Sequence, residues 1–317
     1  MKPLSIYIHI PFCERRCPYC DFESSVGGDV DAYILSLIND VKKGSIQAKN
    51  YTAKTIYFGG GTPSFIDATH IGAILATIRQ NFNVAHDAEI SIECNPNSLT
   101  EEKLKSYKKY GVNRISIGVQ SFHNKTLGIL GRVHNVSCAK TAIKLATKHF
   151  DNVSIDLIHS IPRGKLVLPS RYLKVVKHIS AYCLTSDKYA TFDDGKSIKQ
   201  QKRIECKLEK YGIAKYEVSN FARSGFECKH NLAYWECGEW LGFGRGAKSH
   251  FNEPWTDADR IMLGLRLAKG IPAKLLSAKT SVVKNLIDMG FLEAHVDNIR
   301  CTWKGFLLLN QVLEKLI

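Results

Sequence analysis

A strand, a loop and a helix succeed one another six times in the first two thirds of this 317-residue chain. Apolar runs bounded by turn signals predict strands at 5–10, 54–58, 88–93, 114–118, 152–158 and 178–184. Helical spacing of apolar side chains predicts helices at 31–42, 68–82 and 100–110, with further helical stretches up to 149. Thr100 followed by Glu101 and Glu102 reads as a helix start, and Gly111 as its stop. Such alternation implies parallel βαβ units joined by right-handed crossovers. An open doubly wound sheet and a partial (β/α)6 barrel of the TIM type both satisfy it. What favours the barrel is where the unusual residues fall. Cys13, Cys17, Cys20, the glycine run at 59–61, Glu93, Gln120 and Asp156 lie at or just after the C-terminal ends of strands, where barrels build their sites.

Beyond a predicted helix at 198–211 and a strand at 214–221 the pattern changes. Helices at 256–267 and 281–289, a short strand at 299–303 and a terminal helix at 305–316 predict a small, mainly helical, winged-helix-like domain. We therefore expect a barrel domain over 1–250 and a C-terminal domain over 251–317. No run of eighteen apolar residues exists, so no membrane span is expected, and the N-terminus lacks the pattern of a signal peptide. A cytoplasmic address follows as the expectation. Lys and Arg total 44 against 30 Asp and Glu, a formal charge of +14. The lysines are spread over many helix faces with acidic residues interleaved, and no nucleic-acid-binding motif appears, so no nucleic-acid partner is expected. Contact with an anionic membrane surface, or a carboxylate-bearing ligand, is compatible with this charge.

Ten cysteines without an export signal argue for reduced thiols. Three of them form the loop Cys13-x3-Cys17-x2-Cys20 directly after the first strand, whereas Cys138, Cys183, Cys206 and Cys301 read as small core residues. Three thiolates on one loop can hold three irons of a cubane and leave the fourth open. A structural zinc site would demand a fourth protein ligand. The run Gly59-Gly60-Gly61-Thr62-Pro63 after the second strand can offer bare backbone to a ligand, and Glu93 can accept hydrogen bonds from an ammonium or a ribose hydroxyl.

Taken together, Tyr7-Ile-His-Ile-Pro-Phe-Cys13, the cysteine loop, the 59–63 run and Glu93-Cys94-Asn95-Pro96 resemble the core of radical S-adenosylmethionine (SAM) proteins. More narrowly, they resemble the oxygen-independent coproporphyrinogen III oxidase group. Gly118-Val-Gln120-Ser-Phe122, Arg132 and Ser154-Ile-Asp156-Leu-Ile158 extend the match, and Tyr216-Glu-Val-Ser-Asn-Phe-Ala222 carries it towards residue 250. The resemblance implies a [4Fe–4S] cluster on Cys13, Cys17 and Cys20, with SAM on its open iron. It assigns Tyr7, Gly60, Gly61, Thr62 and Glu93 to SAM, and Gln120, Arg132 and Asp156 to SAM or a ligand beside it.

That group holds two classes, oxidases and HemW-like haem chaperones. The oxidases resemble this chain but carry a further cysteine two positions after the third cluster cysteine, where Phe22 stands here, and a long N-terminal extension. The chaperones share a proposed haem motif that appears here as His230-Asn231-Leu232-Ala233-Tyr234-Trp235, with His230 as the implied axial ligand. Without the family, a histidine turn leading into an aromatic core segment explains the same residues. The chain departs from its group after Asp156, where His159-Ser160-Ile161-Pro162-Arg163-Gly164 replaces the usual Tyr-Gly-Leu-Pro-Gly-Gln, and in a shortened C-terminal domain. The expectation is a haem-binding protein that passes haem to an acceptor protein. Oxidative decarboxylation of coproporphyrinogen III is the alternative.

Overall fold

The computed structural model describes residues 1–184 and 194–317. Six parallel strands lie side by side in chain order: β1 (Lys2–Ile10), β2 (Tyr51–Gly60), β3 (Asn83–Cys94), β4 (Arg114–Gln120), β5 (Asn152–His159) and β6 (His178–Cys183). Trp240–Phe243 adds a parallel strand on the outer side of β1. The short strands Asn220–Ala222 and Ala214–Lys215 run antiparallel beyond β6, so the predicted strand at 214–221 is a small hairpin. Its two arms are separated at residues 216–219, where Glu217 instead bridges to Leu267.

Helices Val30–Ser45, Ala68–Asn81, Glu101–Lys109 and Val136–His149 follow the first four strands and cover the outside. Thr100 caps its helix by accepting from the Lys103 amide, and Gly111 turns the chain away at a φ of 91°. The main apolar core lies between these helices and the outward faces of the strands. It takes Ile6 and Ile8 from β1, Ile56 and Phe58 from β2, Ile90 and Ile92 from β3, and Ile115 and Ile117 from β4. The alternate residues face inward and are polar or small: Thr55, Glu89, Ser91, Glu93, Arg114, Ser116, Asp156 and Ser180. Filled TIM barrels stack bulky branched side chains inside. This barrel keeps them outside, and polar or small side chains face its interior.

A second apolar core gathers Ile261, Leu286, Leu292, Val312 and Leu316 around a three-stranded antiparallel sheet and the last helices. Sequence periodicity predicted only one of those strands. The other two, Ile271–Pro272 and Leu292–His295, are too short to show a period. The helix Asp257–Gly264 opens with a capping box on Thr256 and Asp259.

Candidate cofactor site

The cysteine loop closes over the C-terminal ends of the strands. Cys13, Cys17 and Cys20 all border one cavity of about 550 Å³, and so do Gly60, Gly61, Thr62, Glu93, Gln120, Arg132 and Asp156. All three thiols are free. Among the described residues no three His, Cys, Asp or Glu side chains converge tightly enough to hold a single ion. Three cysteines on one loop suit a cubane, whose cysteines each bind a different iron, whereas a closed zinc site needs a fourth protein ligand.

The glycine run is shaped by β1 before any ligand is considered. The Gly61 amide donates to the Ile10 carbonyl at 2.9 Å, and the Thr62 amide donates to that of Phe12 at 2.9 Å. A Cβ on Gly61 would lie 2.7 Å from the Pro11 backbone, and one on Gly60 would lie 2.6 Å from the His9 ring, at a φ of 112°. Thr62 Oγ1 then sits 3.5 Å from Cys13 Sγ. The run therefore holds the cysteine loop to the barrel as well as baring backbone to the cavity. His9 serves the same end. Its Nε2 donates to the Glu23 carbonyl at 2.8 Å, just past the cysteines, and Tyr7 lies 3.2 Å from its Nδ1. Tyr7 itself packs on Tyr57 behind the cavity wall and is not part of the lining.

Glu93 and Asp156 are buried in the same interior. Burial, and then the neighbouring Asp156 charge, push Glu93 up to about 7, although Tyr57 donates to it at 2.8 Å. Burial also raises Asp156, against hydrogen bonds from Ser116 and Ser180. Arg114 supplies the compensating cation from the N-terminal end of β4; it is 2% exposed, and its Nε and Nη1 have no protein partner. Gln120 adopts a φ of 60° where the pairing of β4 with β5 shifts register, and this irregularity turns its side chain into the cavity. Arg132 reaches the cluster loop, with Nη1 3.6 Å from Cys17 Sγ. The sequence reading missed Arg114, Ser116, Ser180, Tyr182 and Asn231, all of which border the cavity.

His230 lies away from the cavity lining. It is 1% exposed, and both ring nitrogens are engaged, one with Thr55 Oγ1 at 2.7 Å and the other with the Tyr234 hydroxyl at 2.8 Å. Burial drives its pKa down to about 3. In this arrangement both ring nitrogens are held by protein hydroxyls. The helix Lys229–Trp235 instead plugs the lower barrel, where Glu89 accepts from the amides of Lys229 and His230. Asn231, not His230, faces the cavity. Among the cysteines read as core, only Cys301 is buried; Cys206 is exposed, and Cys183 borders the cavity.

Residues 7–163 match the Radical SAM superfamily and residues 258–308 the HemN C-terminal domain. The chain is 37% identical over 271 residues to the heme chaperone HemW of Escherichia coli, covering 80% of this chain and 72% of that one. It is 30% identical over 371 residues to the heme chaperone HemW of Mycobacterium tuberculosis, covering 100% and 95%. Among solved structures it resembles the coproporphyrinogen III oxidase HemN of Escherichia coli, a radical SAM enzyme, with a TM-score of 0.83 over 99% of this chain and 90% of that one; at 19% identity this speaks to fold alone. With the barrel, the cysteine loop and relatives of this similarity in agreement, the chain belongs to the HemW family of radical SAM proteins.

Proposed function

We propose that this protein binds haem and delivers it to acceptor proteins, using a [4Fe–4S] cluster and SAM as cofactors. The observation that carries the reading is the set of relatives named heme chaperone HemW, matched over most of both chains. In this reading Cys13, Cys17 and Cys20 hold the cluster, which supplies one-electron chemistry at the iron left open for SAM. Gly60, Gly61 and Thr62 present backbone and a hydroxyl to SAM, Glu93 accepts from its ammonium or ribose, and Gln120 and Asp156 contact it or a ligand beside it. Tyr7 acts from behind the wall through His9. The separate apolar core supports a C-terminal unit over 251–317. Phe22, 65% exposed at the cavity mouth, stands where the oxidases have their extra cysteine and weakens the oxidase alternative. Reconstituted protein given haem should retain it and pass it to an apo-haemoprotein. Given coproporphyrinogen III, SAM and reductant, it should form no protoporphyrinogen; product there would overturn the chaperone reading.

Glu93 makes SAM binding pH-dependent. Its carboxylate must be ionised to hold a cationic ligand, so affinity should fall towards tenfold per pH unit below about 7 and level off above it. For the ligand-free protein the sign is opposite. A carboxyl with a raised pKa favours the folded state below its unfolded value and loses that contribution as pH rises through about 7. Glu93→Gln should therefore raise the melting temperature at pH 8 while weakening SAM binding. Calorimetry at pH 6 and 8 checks both, and a lower melting temperature at pH 8 would contradict the assignment.

Gly60→Val should lose iron as well as SAM. Its Cβ would collide with the His9 ring, and His9 holds the end of the cysteine loop. An iron assay beside a SAM titration checks this; full iron with lost SAM would confine the glycine to ligand contact.

A further inference from the structure

We propose that Arg132, steered by His134, tunes the reduction potential of the cluster site by hydrogen bonding to the Cys17 sulfur. This rests on Cys13, Cys17 and Cys20 being the cluster ligands. The resemblance gives Arg132 to SAM or a neighbouring ligand, and the structure adds a set of protein acceptors around its guanidinium. A guanidinium carries five N–H groups. Nη1 donates to Cys17 Sγ at 3.6 Å and to the Tyr19 hydroxyl at 3.3 Å. Nη2 donates to Asn95 Oδ1 and, at 3.0 Å, to the Gly118 carbonyl, while Nε donates to His134 Nδ1 at 3.4 Å. Five donors meet five acceptors.

The last contact sets the aim of the fork. His134 is 3% exposed, and its Nε2 lies 3.1 Å from the Val119 carbonyl. A carbonyl can only accept, so Nε2 carries the proton and Nδ1 is left as the acceptor that Arg132 Nε requires. The β4 backbone thus selects the tautomer, the tautomer orients the guanidinium, and the guanidinium points at the sulfur. Gly131 lets the two loops approach: at a φ of 67°, a Cβ there would lie 2.7 Å from the Pro18 ring. Hydrogen bonds and positive charge at a ligating sulfur stabilise the more negative, reduced cluster and raise its potential. Arg132 is therefore a positioning and tuning residue, and His134 acts through it.

The test is a redox titration of the anaerobically reconstituted full chain without SAM, followed by absorbance and by the electron paramagnetic resonance of the reduced cluster. Arg132→Lys keeps a charge but loses the fork. It should shift the reduction equilibrium about tenfold towards the oxidised cluster, or about 59 mV for one electron. His134→Leu should shift it the same way by less. His134→Gln should restore the wild-type potential, since an amide can accept from Arg132 and donate to Val119. Unchanged potentials in Arg132→Lys and His134→Leu, at full iron content, would overturn the inference. Should Arg132→Lys lose its iron, His134→Leu decides, because it leaves the Arg132 side chain itself unaltered and removes only what aims it. Failure of the wild type to assemble a cubane would overturn the cluster reading itself, and it is seen before any variant is made.

Discussion

Cys17→Ser removes the cluster outright: iron falls from about four per chain to the level of unreconstituted protein, and the broad visible absorbance disappears. Cys13→Ser and Cys20→Ser do the same. A hydroxyl is a poor ligand for iron held among thiolates, and the loop carries no spare cysteine. Cys94 is one thiol that could substitute, since it borders the same cavity. Burial pushes its pKa up, however, and its Sγ points back towards the Ile92 carbonyl on its own strand. The substitution should leave the fold standing, because neither Cys17 nor Cys20 belongs to an apolar core and the loop lies at the barrel mouth. Iron analysis with a thermal melt separates the two effects. A variant that keeps four irons would remove its cysteine from the ligand set.

Most of the barrel was legible because each strand and helix writes its own period. The polar interior was legible too, in a signal the sequence reading did not use. Parallel strands covered on both faces read as continuous apolar runs. Here Glu89-Ile-Ser-Ile-Glu93 and Arg114-Ile-Ser-Ile-Gly118 alternate strictly, which places one face against helices and the other in a polar space. Counting from Glu93 or Asp156 in steps of two finds Ser91, Glu89 and Ser154 without a structure. The same step back from Gln120 reaches Gly118, Ser116 and Arg114. The destination of Arg132 was not legible, since its partners Cys17, Asn95 and His134 come from three separate loops. Motif resemblance assigns such a residue to the cavity, and geometry decides which part of it the side chain serves.

The same limit applies to His230, whose motif reads as a ligand and whose ring packs here as a strut. His230→Ala should lower stability by about 3 kcal/mol or more, because it removes a fully buried ring and takes the partner from the buried Thr55 hydroxyl and the half-buried Tyr234 hydroxyl. For a chain of this size that corresponds to a fall in melting temperature on the order of 5 °C. The ring also stacks on Tyr57 with centroids 4.9 Å apart, and Tyr57 donates to Glu93, so the loss should reach SAM affinity. His230→Gln keeps a donor and an acceptor and should recover part of the stability. Haem bound by the folded alanine variant should show the wild-type Soret position, since no axial nitrogen has been taken from it. A shifted Soret band with an unchanged melting temperature would reverse this, and would mean that the helix Lys229–Trp235 opens to hand its histidine to the iron.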